Sequence, residues 1–269
     1  MLKARTWRSN TAGRRVKYGR LSALATDLVR DRVTVIAATG TPSAQAAKAA
    51  TTTIPIVFVT VDEPAKLGLV VSLNRPGGNA TGVNFFAAEL ASKQLGLLHE
   101  LVPAATRIGF LVNPNSPLTE AVTRDAMAAA SAVGFQLHVV SARDSREIEA
   151  AFATLVRNRA DALLVGPDAF LLTRRLQLAT LAARHALPAV YNVREYPDAG
   201  GLMSYGTSQT EAYRQVGIYI GKILKGAKPG DLPVMQSAKF ELVINLPTAR
   251  AIVLEIPPTL LARADEVIE

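Results

Sequence analysis

The sequence predicts an α/β protein built from doubly wound parallel sheets. Three observations predict it. Short apolar runs rich in β-branched residues, such as VTVIAA at 33–38 and RIGFLVN at 107–113, alternate with helical segments along the chain. These runs are continuous rather than alternating, as expected of strands covered on both faces. The chain has 269 residues, 49% of them apolar, enough for one large domain or two lobes with well-packed cores.

The elements follow in order. Residues 21–30 place Leu21, Leu24, Ala25, Leu28 and Val29 on one helical face. A strand at 33–38 leads through Thr39-Gly40-Thr41-Pro42-Ser43 into a helix over 44–51, with Thr41 as expected N-cap and Pro42 at the first helical position. A strand at 54–61 is followed by a short helix at 65–70 and a turn at Pro76-Gly77-Gly78-Asn79. A short segment at 81–84 precedes a helix over 89–101. Strands at 107–113, 135–140 and 160–165 then alternate with helices at 118–133, 146–157 and 171–186, the second capped by Asp144 or Ser145. A strand at 188–192, a second apolar run at 202–205 and a helix over 210–224 follow. Past these lie a strand at 240–244, a helix at 247–253 and a helical tail from 257.

Composition excludes several classes. With no cysteine, disulfides, thiolate catalysis and Cys-ligated metals are ruled out. No apolar run approaches the roughly 20 residues needed to cross a bilayer. Seven of the eight net positive charges fall in residues 1–20, so the rest is nearly neutral and no nucleic-acid partner is expected. That basic arm, read as disordered, lacks the apolar centre of a secretory signal.

No catalytic motif is present: no HExxH, no GxSxG, no Walker A loop and no GxGxxG after a strand. His99, His138 and His185 are scattered over helices and a strand. The expectation is no enzyme, no cofactor and no metal.

What recurs is polar chemistry at strand ends. Residues 39–43, 60–63, 113–116, 166–170 and 191–195 each close an apolar run with hydroxyl, amide, acidic or aromatic groups. In open α/β sheets such ends form the ligand crevice. Two lobes facing each other would bring them to one cleft closed by hinge motion. The start of the helix after Thr41 suits an anion, or is simply a cap. Asp62, beside Glu63, suits an ammonium group, or caps the next turn. Arg194 offers a second anion site, or pairs with Glu195.

The phrases REYPDAGGLMSYG, KILKGAKPGDLPVMQSAKFELVINLPTAR and IPPTLLARADEVIE closely resemble bacterial ABC-transporter substrate-binding proteins, a group that includes binders of tryptophan and other aromatic amino acids. The resemblance runs over about 21–269. It implies a type I periplasmic-binding-protein-like fold of two doubly wound lobes, the first lobe incomplete because the chain looks truncated at its start. Lobe 1 would hold 21–82 and 203–240, lobe 2 would hold 83–202, and the tail 241–269 would straddle the hinge, with Ala199-Gly200-Gly201 as pivot. It further implies capture of a small, amino-acid-like solute between the lobes and delivery to membrane permease subunits. The location would be periplasmic, or cytoplasmic if the start is real.

On this reading Asp168, in the Pro-Asp strand-end motif, meets an ammonium group or polar head. Thr41 and Ser43 hold a carboxylate, with Thr60 beside them. Asn115 and Ser116 make polar contacts, and Phe170 and Tyr191 stack on an apolar part. Ala169 stands where related aromatic binders often have Asn, which tells against an aromatic amino acid. The alternatives are a ligand-sensing module akin to transcription-regulator effector domains, a degraded non-functional paralogue, or an enzyme on a doubly wound scaffold.

Overall fold

The computed structural model describes residues 18–85, 90–237 and 240–269. The basic arm, residues 1–17, and the expected helix start at Glu89 lie outside them. In chain order the elements are α1 (Leu21–Arg30), β1 (Ile36–Thr39), α2 (Thr41–Ala50), β2 (Ile56–Thr60), β3 (Ala80–Phe85), α3 (Leu90–Leu101), β4 (Arg107–Val112), α4 (Thr119–Ala132), β5 (Gln136–Ser141) and α5 (Ser145–Arg157). They continue with β6 (Ala162–Val165), α6 (Ala169–Thr173), α7 (Arg175–Arg184), β7 (Ala189–Tyr191), β8 (Met203–Thr207), α8 (Gln209–Leu224), β9 (Met235–Ser237), β10 (Phe240–Asn245), α9 (Leu246–Ala251), α10 (Pro258–Leu261) and β11 (Glu266–Ile268).

The strands form two sheets. The first has the order β1-β2-β3-β9 and is parallel throughout. The second has the order β11-β10-β8-β7-β6-β4-β5, with β10–β8 as its one antiparallel pair among the described residues. Helices cover both faces of central strands such as β2 and β6, as their continuous apolar runs require, whereas the edge strand β1 buries only alternate residues and β5 stays half exposed. In β6, Leu164 joins the core beneath α3 and α4, while Leu163 and Val165 join the opposite core beneath α5 and α7. In β2, Ile56 and Phe58 pack towards α2, and Val57 and Val59 towards α8. Successive strand residues point to opposite faces, so one four- or five-residue run serves two cores.

The chain passes between the sheets after β3, returns from β8 into α8, and leaves the first sheet again between β9 and β10. The return therefore begins later than 203. Strand 203–207 pairs with β7 and β10 in the second sheet, because its apolar residues, Met203 among them, complete the core beneath α3. The tail from 241 likewise adds β10 and β11 to that sheet instead of bridging the two.

Three local expectations differ from the structure. Residues 65–70 form turns instead of a helix. The segment expected as one helix over 171–186 breaks at Arg174 into α6 and α7, because Asp168 caps a short helix of its own. Past α10 the tail is strand β11, not helix. Asp144 does cap α5, accepting from the N–H groups of Arg146 and Glu147.

Asp161 ties the start of β6 to β4. It accepts from the backbone N–H of Thr106 at 2.9 Å and of Arg107 at 2.8 Å, and from the Arg107 guanidinium at 3.2 Å. Burial pushes its carboxyl pKa up, but these hydrogen bonds outweigh it and hold the carboxyl below its usual value of 3.8. A depressed folded value means that the stabilisation is complete above the unfolded value and is lost as pH falls through the folded one. Asp161→Asn is therefore expected to cost about 1–2 kcal/mol at neutral pH and to flatten the loss of stability below about pH 4. Denaturant melts at pH 7 and pH 3 check this, and an unchanged pH 3 to pH 7 difference would count against it.

Candidate functional site

A cavity of about 340 Å³ lies where the carboxyl ends of strands from both sheets meet. Thr39, Thr60 and Phe85 end β1, β2 and β3 on one side. Ser116 after β4, Pro167-Asp168-Ala169 after β6, and Asn192 after β7 close the other. Within the second sheet β4 lies between β5 and β6, so the connections leaving β4 and β6 diverge there. Such a switch point opens a crevice beyond the strand ends.

The wall from the first sheet is built on the start of α2. Gly40 is the N-cap residue, with φ of 105°. This left-handed geometry suits glycine and turns the chain from β1 sharply into the helix. Thr41, expected as the cap, begins the helix instead. It is almost fully buried, and its hydroxyl donates to Asp62 Oδ2 at 2.8 Å. The Ser43 hydroxyl donates to the Gly40 carbonyl oxygen at 2.7 Å. Both hydroxyl protons are thus committed within the protein, which leaves N–H groups of the first helical turn as the donors available to an anion.

The opposite wall is organised by Asp168. Its side chain caps α6, accepting from Leu171 N–H at 3.0 Å, and also accepts from Asn113 Nδ2 at 3.1 Å. Asn113 directly follows β4, so this bond spans the switch point. Asn113 in turn accepts from Asn115 N–H, which shapes the loop that carries Ser116. Asp168 is the sole charged side chain among the described residues lining the cavity. Most of the rest of the lining is apolar, including Val59, Val61, Phe85, Leu118 and Leu172.

The structure brings together five of the ten residues expected at the site: Thr41, Ser43, Thr60, Ser116 and Asp168. Asp62 stands one contact behind Thr41. Asn115 is exposed and off the cavity wall. Phe170 is buried in the core beneath α6 and α7, with the Arg174 guanidinium over its ring. Tyr191 is fully buried, its ring stacked on Tyr196 at a centroid distance of 4.3 Å, and burial pushes its phenol pKa far above the usual value. Arg194 pairs with Glu266 at 2.9 Å and Asp198 at 3.4 Å, and not with Glu195; these two carboxylates, Glu266 foremost, push its pKa up.

Sequence reasoning missed Asn192, Phe85, Leu21 and the start of α8 with Gln209, Ala212 and Tyr213. Asn192 lay in the polar cluster after β7, but its larger neighbours drew the assignment. Nothing local marks α8, because its position follows from the crossing between the sheets. His99 packs edge-on against Phe135, His185 stacks on Phe152, and His138 in β5 has its Nε2 buried without a hydrogen-bond partner among the described residues. Among the described residues no group of His, Cys, Asp or Glu is placed to hold a metal, and no helix is long and apolar enough to cross a membrane.

Two sheets with their strand ends facing one apolar cavity, crossed by the chain three times, define a binding protein of the type I periplasmic kind. The chain matches the ABC transporter substrate binding protein family over residues 4–268 and belongs to it. It is 28% identical over 230 residues to a tyrosine-binding protein of Clostridioides difficile (strain R20291), covering 86% of this chain. The match spans 66% of that relative's length. Among solved structures it is similar to an ABC domain in complex with L-Trp from Streptococcus pneumonia, with a TM-score of 0.82 at 26% identity over 94% of this chain and 86% of the other. It is also similar to the ligand-free, open form of a substrate binding protein with adhesive properties from Clostridium difficile. There the TM-score is 0.66, at 26% identity, over 94% of this chain and 84% of the other.

Proposed function

We propose that this chain is the solute-capturing component of an ABC importer. It holds a small amino-acid-like molecule in the cavity between the sheets and delivers it to membrane permease subunits, in an extracytoplasmic setting. The observation that carries the reading is the cavity itself. It has the size of a small-molecule pocket, is mostly apolar, and takes polar groups from the strand ends of both sheets. Asp168 is positioned for an ammonium group, and the first turn of α2 for a carboxylate. No cationic side chain lines the described wall, so a zwitterion suits it better than a simple acid.

The comparisons support the same reading. At equal identity and nearly equal coverage, this chain lies closer to the L-Trp complex than to the open, ligand-free relative. We assign lobe 1 to the first sheet with α1, α2 and α8, and lobe 2 to the second sheet with its helices, including β8, β10 and β11. The enzymatic alternative lacks a supporting observation: no nucleophile–base pair is found among the described residues of the cavity wall.

The test is a thermal-shift and calorimetric screen of the full chain against the common L-amino acids. A ligand at about 100 times its Kd adds about 2.7 kcal/mol to stability. We expect at least one amino acid to raise the melting temperature and to be recovered unchanged. No shift with any of them, or chemical turnover of one, would overturn the reading.

A further inference from the structure

Gln209 and Tyr213 lie one turn apart at the start of α8, and both line the cavity. The Tyr213 hydroxyl donates to Gln209 Oε1 at 3.1 Å. An amide whose oxygen is occupied in this way presents its NH2 group as the remaining polar function. No partner for Gln209 Nε2 is found among the described residues. The Tyr213 oxygen keeps its lone pairs and adds an acceptor beside that donor.

The position of this pair is unusual for a surface turn. Ser208, the N-cap of α8, is where the chain returns from the second sheet to the first. Gln209 and Tyr213 therefore sit on the first-sheet side, immediately past the crossing. Glu195, from the loop after β7 in the second sheet, acts on Tyr213 across that seam. Burial pushes the Tyr213 phenol pKa up, and the Glu195 charge pushes it further. Glu195 Oε2 is itself buried without a hydrogen-bond partner among the described residues. Gln209 is half-buried and Tyr213 is 49% exposed, and both border the cavity beside the crossing.

Resting on the solute-binding reading above, we propose that Gln209 and Tyr213 are specificity-determining residues that select an amino acid whose side chain ends in a hydrogen-bond acceptor. Asp168 and the α2 turn hold the ammonium and carboxylate common to all amino acids, so they do not discriminate among side chains. The remaining lining is apolar apart from hydroxyls and Asn192. A side chain with an acceptor tip satisfies the Gln209 NH2 group, whereas an apolar tip of equal size buries it without a partner, which is the stronger source of discrimination.

Matched pairs test this by calorimetry: L-tyrosine against L-phenylalanine, and L-asparagine against L-leucine. The wild-type chain is expected to favour the polar member by about tenfold in at least one pair. Gln209→Leu keeps side-chain bulk but removes the donor, and is expected to abolish or invert that preference while the apolar member still binds. Tyr213→Phe releases the amide and is expected to narrow the preference; its ligand-free melting temperature shows whether folding is intact. Equal binding within every pair by the wild-type chain, or a loss in Gln209→Leu that is the same for both members, overturns the proposal alone. If the wild-type chain binds none of the four or any other amino acid, the solute-binding reading fails and this proposal with it.

Discussion

Gly206→Ala is expected to lower stability by about 3 kcal/mol or more, a drop of about 10 °C in melting temperature for a chain of this size. Gly206 lies in β8, paired with Glu241 of β10 on one side. A Cβ built there would stand 1.8 Å from the Asn192 carbonyl oxygen and 2.7 Å from its carbonyl carbon. Both atoms are backbone at the end of β7, so no side-chain rotation relieves the clash. Relief requires the end of β7 to move away from β8, and Asn192 moves with it. Because Asn192 lines the cavity, the substitution is expected to weaken solute binding as well as the fold. Gly217→Ala is the control. It lies in α8 with nothing within 4 Å of the added carbon, and is expected to stabilise the chain by about 0.5–1 kcal/mol through helix propensity. If Gly206→Ala melts within about 2 °C of wild type, the close approach of the two strands is not what it is described to be.

Asp168→Asn is expected to reduce affinity for an amino acid about 100-fold while leaving the fold nearly unchanged. Asparagine caps a helix about as well as aspartate, so the bond from Leu171 N–H survives, and so does an oxygen for Asn113. What is lost is the charge. A hydrogen bond to a charged group contributes about 1.5–3 kcal/mol, and 2.7 kcal/mol corresponds to 100-fold. Asp168→Ala removes the cap too and is expected to cost a further ~1 kcal/mol of stability. Calorimetry with the best amino acid from the screen, alongside melting of each ligand-free variant, separates the two contributions. Wild-type affinity in Asp168→Asn would show that the carboxylate does not meet the ammonium group.

Local signals made some of this site readable in advance. Thr60 ends an apolar run, and Ser116 and Asp168 follow one within four residues; in a parallel sheet the segment just past a strand lies at the crevice whatever its partner strands are. Asp168 combines that position with a capping role, which is itself a local property of the sequence. Tyr191 failed by one residue. It is the last residue of β7, and the period of two turns its ring into the core, where Tyr196 covers it, while Asn192 faces the cavity. Arg194 failed because its partners, Glu266 and Asp198, include one 72 residues away, and no local pattern reports a contact at that separation. Its place before Pro42 predicts Thr41 as the cap. The structure gives that role to Gly40 and turns the hydroxyl to Asp62, 21 residues on.

The sequence by itself determined the α/β class, the alternation of strands and helices, most element positions and the family. These depend on periodicity, capping and turn residues, which act over a few positions. Tertiary structure alone decided that Met203–Thr207 joins the second sheet, that the tail closes that sheet as β10 and β11, and that the first turn of α8 reaches the cavity. A strand carries no local mark of which sheet it completes. That choice is made by which neighbouring edge and which apolar face remain unfilled, a property of the whole assembled chain.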